Sequence, residues 1–214
     1  MAPPAIQPSG APTPGPGSRR PEPHPDAWRV LPPTEPGGDP VPHERFTQGF
    51  LQRIEAARSL GDRASEEELR ADYERFLAAT GAAWELAEAI PVGTLLAGRL
   101  PPPGRERRAE LGALLARLEG YRATAPRDYL SQACALMHLG DAQGAMLRID
   151  AGLSLDPEHL LLRCARGEVQ RGMGNLTQAH AEFSMAARIA PDDDLALAGL
   201  GRVLIAMGHG AAAV

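Results

Sequence analysis

The run PRDYLSQACALMHLGDAQGAMLRIDAGLSLDPEH (126–159) is followed by LLLRCARGEVQRGMGNLTQAHAEFSMAARIAPDD (160–193) and by DLALAGLGRVLIAMGHGAAAV (194–214). Written one above another, the three runs place Gly140, Gly174 and Gly208 in one column and Ala145, Ala179 and Ala213 in a second. Pro157 falls over Pro191, and Gly167 over Gly201. Four landmarks therefore recur at a spacing of 34 residues. Small residues and helix breakers in this register describe a helix hairpin that cannot bury its apolar face alone and stacks on the next one.

Within a unit the landmarks have separate tasks. Leu130, Ala133, Cys134, Met137 and Leu139 stand at helical spacing ahead of Gly140, where a glycine can take the left-handed conformation that ends a helix. Asp141 is placed to cap the second helix, and Asn175 holds the same position one period later. Ala145 and Ala179 are small where two helices must approach closely, with Phe183 adding bulk one turn on. Pro157 and Pro191 stop the second helix and preset the backbone for the next one.

These residues resemble the tetratricopeptide repeat, whose unit carries a small residue in the first helix, alanine and then an aromatic in the second, and a closing proline. Gly167, Gly174, Ala179, Phe183, Ala186 and Pro191 match in the unit 160–193. Tyr129, Ala133, Gly140, Ala145, Gly152 and Pro157 match in the unit 126–159, which has Ile149 where an aromatic is usual. An incomplete unit, 194–214, keeps Leu200, Gly201, Leu204, Gly208 and Ala213, so the resemblance covers 89 residues. The implied fold class is all-α, a helical-hairpin solenoid with N-terminal capping helices and a disordered Pro-rich tail.

Composition bounds the remainder. Of 21 prolines, 14 precede residue 43, so 1–43 is expected to be a disordered tail that cannot offset its chain entropy by burial. Its one concentrated apolar spot is Trp28, Val30 and Leu31, readable as a docking motif or as an incidental tryptophan. The net charge of −5 has no basic block within it, which disfavours nucleic-acid binding; every one of the 22 basic residues is arginine, and no function is read from that. No apolar run approaches 18 residues and no signal-peptide pattern opens the chain, so a cytoplasmic protein without a membrane span is expected. Two cysteines are too few for a disulfide framework.

The region 44–125 reads as helical without the 34-residue register, and covering the first intact repeat is its expected role. Phe46, Phe50, Ile54 and Ala57 give one helix, broken at Gly61 and Asp62. Ser65 with Glu68 has the form of a capping box. Leu69, Tyr73, Phe76, Leu77, Thr80, Trp84 and Ala87 predict the apolar face of a second helix ending near Pro91. Leu95, Leu96 and Leu100 lead into PPPG, after which 105–121 predicts a helix burying Leu111, Leu114, Leu115 and Leu118.

Motifs for chemistry are sparse. VLIAMGHGAAA (203–213) has the outline of a strand followed by a dinucleotide fingerprint, but the strand-helix-strand context is missing and Gly208 already belongs to the repeat. Cys134 and His138 share a helix face, and Cys164 falls on the matching helix of the next unit. Three such residues could form a metal or redox site, while buried free cysteine is the plainer reading. No catalytic set is identifiable, and neither an enzyme nor a cofactor is expected.

The resemblance implies binding of an apolar peptide segment in a groove lined by the first helices. Its residues would be Arg127, Leu130, Cys134, Met137 and His138; then Leu161, Cys164, Glu168 and Arg171; then Leu195, Ala198, Arg202 and Ile205. Arg127, Arg171 and Arg202 would favour an acidic flank on the ligand. Leu130, Cys134, Ala165, Leu195 and Gly199 stand where carboxylate-gripping relatives carry polar residues, so a heat-shock co-chaperone is not expected. An adaptor or scaffold for a protein or peptide ligand is the leading expectation. The alternative is a cytoplasmic chaperone resembling those of type III secretion, and an accessory subunit of an enzyme is a third class. At the uncovered C-terminal edge self-association, a partner or a further downstream segment is expected, and a homo-oligomer could form through that edge or through the N-terminal helices.

Overall fold

In the computed structural model, residues 30–31 and 44–208 are described. Among them the chain forms nine α-helices and one parallel pairing of two-residue strands. Helix α1 (Glu44–Ser59) ends before Gly61, whose φ of 69° turns the chain back. Helix α2 (Arg63–Ala89) starts two residues earlier than the Ser65 box predicts. The Asp62 carboxylate is the cap: it accepts from the Ser65 amide at 3.1 Å and from the Ser65 hydroxyl at 2.6 Å, which hold its pKa below the ordinary carboxylate value.

An aromatic cluster joins α1 to α2. Phe46 stacks on Phe76 with centroids 5.8 Å apart, and Phe50 lies 5.4 Å from both Tyr73 and Phe76. The buried stripe of α2 runs through Phe76, Ala79, Thr80, Ala83 and Leu86, the helical period continued from the aromatic cluster. Leu77 falls beside that stripe and is exposed, which corrects its expected burial. Asp72, not foreseen, is buried and pairs with Arg75.

Helix α2 stops ahead of Pro91, followed by the short α3 (Val92–Leu96) and by α4 (Arg105–Arg117). Leu111, Leu114 and Leu118 are buried as expected, whereas Leu115 is only half-buried. Strand β1 (Val30–Leu31) pairs in parallel with β2 (Arg122–Ala123), just ahead of the next helix. The expected structureless tail is thus corrected at those two residues; Trp28 and the rest of the tail lie outside the described residues.

The C-terminal half has an internal period in its elements. Helices α5 (Pro126–Leu139), α7 (Leu160–Gly172) and α9 (Asp194–Ala206) begin 34 residues apart, as do α6 (Ala142–Leu155) and α8 (Leu176–Ile189). Helix α5 packs on α6, α7 on α8, and α8 on α9, and α7 also touches α5, α6 and α9. Gly140, Gly174 and Gly208 all have φ between 82° and 89°, the left-handed turn that a side chain would strain. Asp141 caps α6 by accepting from the Gly144 amide at 2.8 Å. Asn175 occupies the same place but makes no cap, because its side-chain amide donates to Gln170 at 2.9 Å instead. Pro157 and Pro191 fall in the links and not in the helices, since α7 and α9 begin at residues 160 and 194, whereas Pro126 opens α5.

Ala145, Ile149, Ala179 and Phe183 are buried where these helices meet. Cross-helix ion pairs tie neighbours together: Arg163 of α7 reaches Glu182 of α8 at 3.0 Å, and Arg166 reaches Asp150 of α6 at 3.3 Å. The stretch 203–206 expected as a possible strand is the last turn of α9, and residues 209–214 lie outside the described residues.

Candidate functional site

The first helices of the periodic half, α5, α7 and α9, carry the groove residues inferred from the sequence. Burial divides them into two groups. Leu130, Cys134, Cys164 and Glu168 are buried, which corrects their expected availability to a ligand. Their helices are covered by the N-terminal half, since α2, α3 and α4 all pack on α5 and α3 also reaches α7. Arg127, Met137, His138, Leu161, Arg171, Leu195 and Arg202 are half-buried. Ala198 is exposed, and Ile205 is 63% exposed.

Ala198, Arg202 and Ile205 are spaced by four and three residues on α9 and share one of its faces. This is the part of the inferred groove open to solvent. Arg202 lies at its centre and is tied to two other helices. Its guanidinium donates to the Leu96 carbonyl of α3 at 3.0 Å and pairs with Glu168 of α7. Glu168 also pairs with Arg171 at 2.9 Å. Two of the three arginines expected to attract an acidic ligand are thus already compensated by a buried carboxylate, and the acidic-flank expectation is corrected accordingly. Arg127 Nη2 and Arg202 Nε are buried with no hydrogen-bond partner.

Cys134 and Cys164 are free thiols, and burial pushes each pKa up to about 12. A thiol in that state is a poor nucleophile and a poor metal ligand at neutral pH. His138 is half-buried, with its pKa lowered by burial and by Arg107 and Arg108. Among the described residues no group of three or more His, Cys, Asp or Glu side chains is placed to hold a metal ion. No helix among them is long and apolar enough to cross a membrane.

A second concavity lies where α7, α8 and the link between α6 and α7 meet. It is lined by Pro157, Glu158, Arg163, Met185, Arg188 and Ile189. Arg163 is committed there to the Pro157 carbonyl at 2.7 Å and to Glu182, while Arg188 is exposed.

Sequence reasoning missed α3. It follows Pro91 and precedes Pro101, Pro102 and Pro103, and that bracketing by prolines was its only local signal. Its placement against α5, α7 and Arg202 depends on contacts across as many as 106 residues of sequence, which periodicity does not encode.

No protein-family model matches the chain, and no solved structure matches it. The Homo sapiens protein named FK506-binding protein-like is 35% identical over 106 residues. Those residues are 50% of this chain and 26% of that protein, so the chain spans about a quarter of the relative's length.

Proposed function

We infer that residues 126–208 are tetratricopeptide-like repeats forming a short solenoid, and that the chain is a non-catalytic module binding a protein segment on the face of α5, α7 and α9. The observation that carries this reading is the shared 34-residue spacing of helix starts, left-handed glycines and buried small residues in successive hairpins. Hairpins stacked in one register bring their first helices side by side and present a continuous face, the arrangement that repeat proteins use for recognition. The half-buried Leu161 and Leu195 and the exposed Ile205 make this face apolar. Desolvating one leucine-sized side chain contributes about 1.5–3 kcal/mol, so a few such contacts bring a micromolar complex within reach.

The human relative's name supports a binding role only in general terms and assigns no residue here. An adaptor in a protein assembly is the reading preferred.

The test compares surfaces that can be altered without unfolding the chain. Partners captured by affinity purification would be measured against Ala198→Arg and Ile205→Glu, both exposed on the α9 face, and against Arg188→Glu in the second concavity. Loss of binding in the first two variants only is the expected result. If Arg188→Glu abolishes binding while both α9 variants bind normally, the face of first helices is not the site.

A further inference from the structure

The face described above is partly filled by the chain itself. Helix α3 is five residues long, has no side-chain N-cap, and packs on α5 and α7. Leu96 is its single buried residue, at 1% exposure, while Gly93 and Thr94 are exposed and Val92 and Leu95 are half-buried. The flanks favour a detachable piece. Pro91 is exposed ahead of it, and Gly98 turns the chain out with φ of 70° directly after it. The last carbonyls of any helix lack intrahelical partners, and here the Leu96 carbonyl accepts from Arg202, which also holds Glu168.

We propose that 91–100, PVGTLLAGRL, is an internal ligand of this face: a partner segment of the same chemistry, a short apolar turn that inserts one leucine-type side chain and offers a free carbonyl to Arg202, binds by displacing it. This rests on the binding face inferred above and adds that the face is self-occupied. Three features fit a competitor over a fixed structural strut. The anchoring centres on one fully buried side chain, Leu96, and one guanidinium contact, with Val92 and Leu95 only half-buried against the core. The strap has proline or glycine on both sides, so it can leave without unwinding α2 or α4. The donor it satisfies lies on α9 between Ala198 and Ile205, the part of the face already open to a partner. An occupied site lowers apparent affinity by the fraction of molecules in which the strap is closed.

The experiment uses the full chain and an acetylated, amidated, fluorescent peptide of sequence PVGTLLAGRL, followed by anisotropy. Leu96→Ser removes the inserted side chain and is expected to raise peptide affinity by about tenfold or more over the unaltered chain. Adding Arg202→Gln to that variant is expected to cancel the gain. In the unaltered chain, excess peptide should speed hydrogen exchange at Leu95, Ala97, Gly98 and Arg99, whose amides bond to carbonyls inside the strap. That readout decides the matter by itself if Leu96→Ser does not fold. Unchanged peptide affinity in a folded Leu96→Ser variant, or unchanged exchange at saturating peptide, overturns the internal-ligand assignment. The two readings fail differently. Partner binding lost in Ile205→Glu, with no gain in Leu96→Ser, removes the strap and leaves the binding face standing. Partner binding kept in both Ala198→Arg and Ile205→Glu removes the face, and the strap assignment with it.

Discussion

Phe183 illustrates how much of the fold rests on single side chains. Its ring lies between two glycines: a Cβ built on Gly167 of α7 would stand 2.6 Å from Phe183 Cε2, and one built on Gly199 of α9 would press on the other edge. One aromatic thus fills the seam between a hairpin and the helix that follows, which requires both neighbours to lack side chains. Gly199→Ala is expected to destabilise by about 1–3 kcal/mol through overpacking, as is Ala179→Leu, while Gln178→Leu at the adjoining exposed position has a smaller effect. Thermal melts of the three variants check the order. The thiols supply a second residue-scale prediction. Burial raises the pKa of Cys134 and Cys164 from 9.0 to about 12, so the folded state favours the protonated form. Their contribution to stability is intact below pH 9 and is lost as pH rises from there toward about 12. A denaturation series from pH 8 to 11 should show stability falling, with a shallower fall in Cys134→Ala. At pH 8, labelling by a thiol reagent should track global unfolding.

Among the elements, legibility followed range. Helix ends set by neighbouring residues could be read directly: Gly140 and Gly174 in the left-handed turn, Asp141 on the Gly144 amide, and α2 stopping before Pro91. Ends set by distant residues could not. Arginines from remote helices satisfy the last carbonyls of three helices: Arg107 reaches Ala89 of α2, Arg202 reaches Leu96 of α3, and Arg108 reaches Leu139 of α5. Nothing in the local sequence of those helices announces such a cap. The same blindness explains the groove residues. Spacing put Leu130, Cys134 and Cys164 on the first helices correctly, yet their burial depends on α2, α3 and α4 lying over α5 and α7. Arg107 is half-buried and 2.5 Å from its carbonyl, whereas Arg108 is exposed and 3.4 Å away. Arg107→Leu should therefore cost about 1.5–3 kcal/mol, the range for a charged hydrogen bond, and Arg108→Leu well under 1 kcal/mol. Equal denaturation midpoints for the two variants would contradict this account of the helix ends.

At the scale of the molecule the two halves differ in what covers them. Helix α5 is enclosed by α2, α3, α4, α6 and α7, while α9 has α7 and α8 as its main neighbours. Along α9 the consequence is a gradient within one apolar helix: Ala196, Gly199 and Val203 are buried, Leu200 and Leu204 are half-buried, and Leu197 and Ile205 are 46% and 63% exposed. Only Asp194 and Arg202 carry charge on this helix, and Arg202 is spent on Glu168 and Leu96. Exposed leucine and isoleucine side chains with no charge beside them favour association. Residues 44–208 are accordingly expected to bind a hydrophobic dye in the native state and to scatter more light as concentration rises. Leu197→Glu should reduce both signals without lowering the melting temperature, because nearly half of that side chain already contacts water. Val203→Glu, by contrast, places a charge in the core at a fully buried position and should unfold the C-terminal hairpins, since a buried unpaired carboxylate costs several kcal/mol. Dye binding and scattering that persist undiminished in a folded Leu197→Glu variant would locate the associating surface elsewhere than on α9.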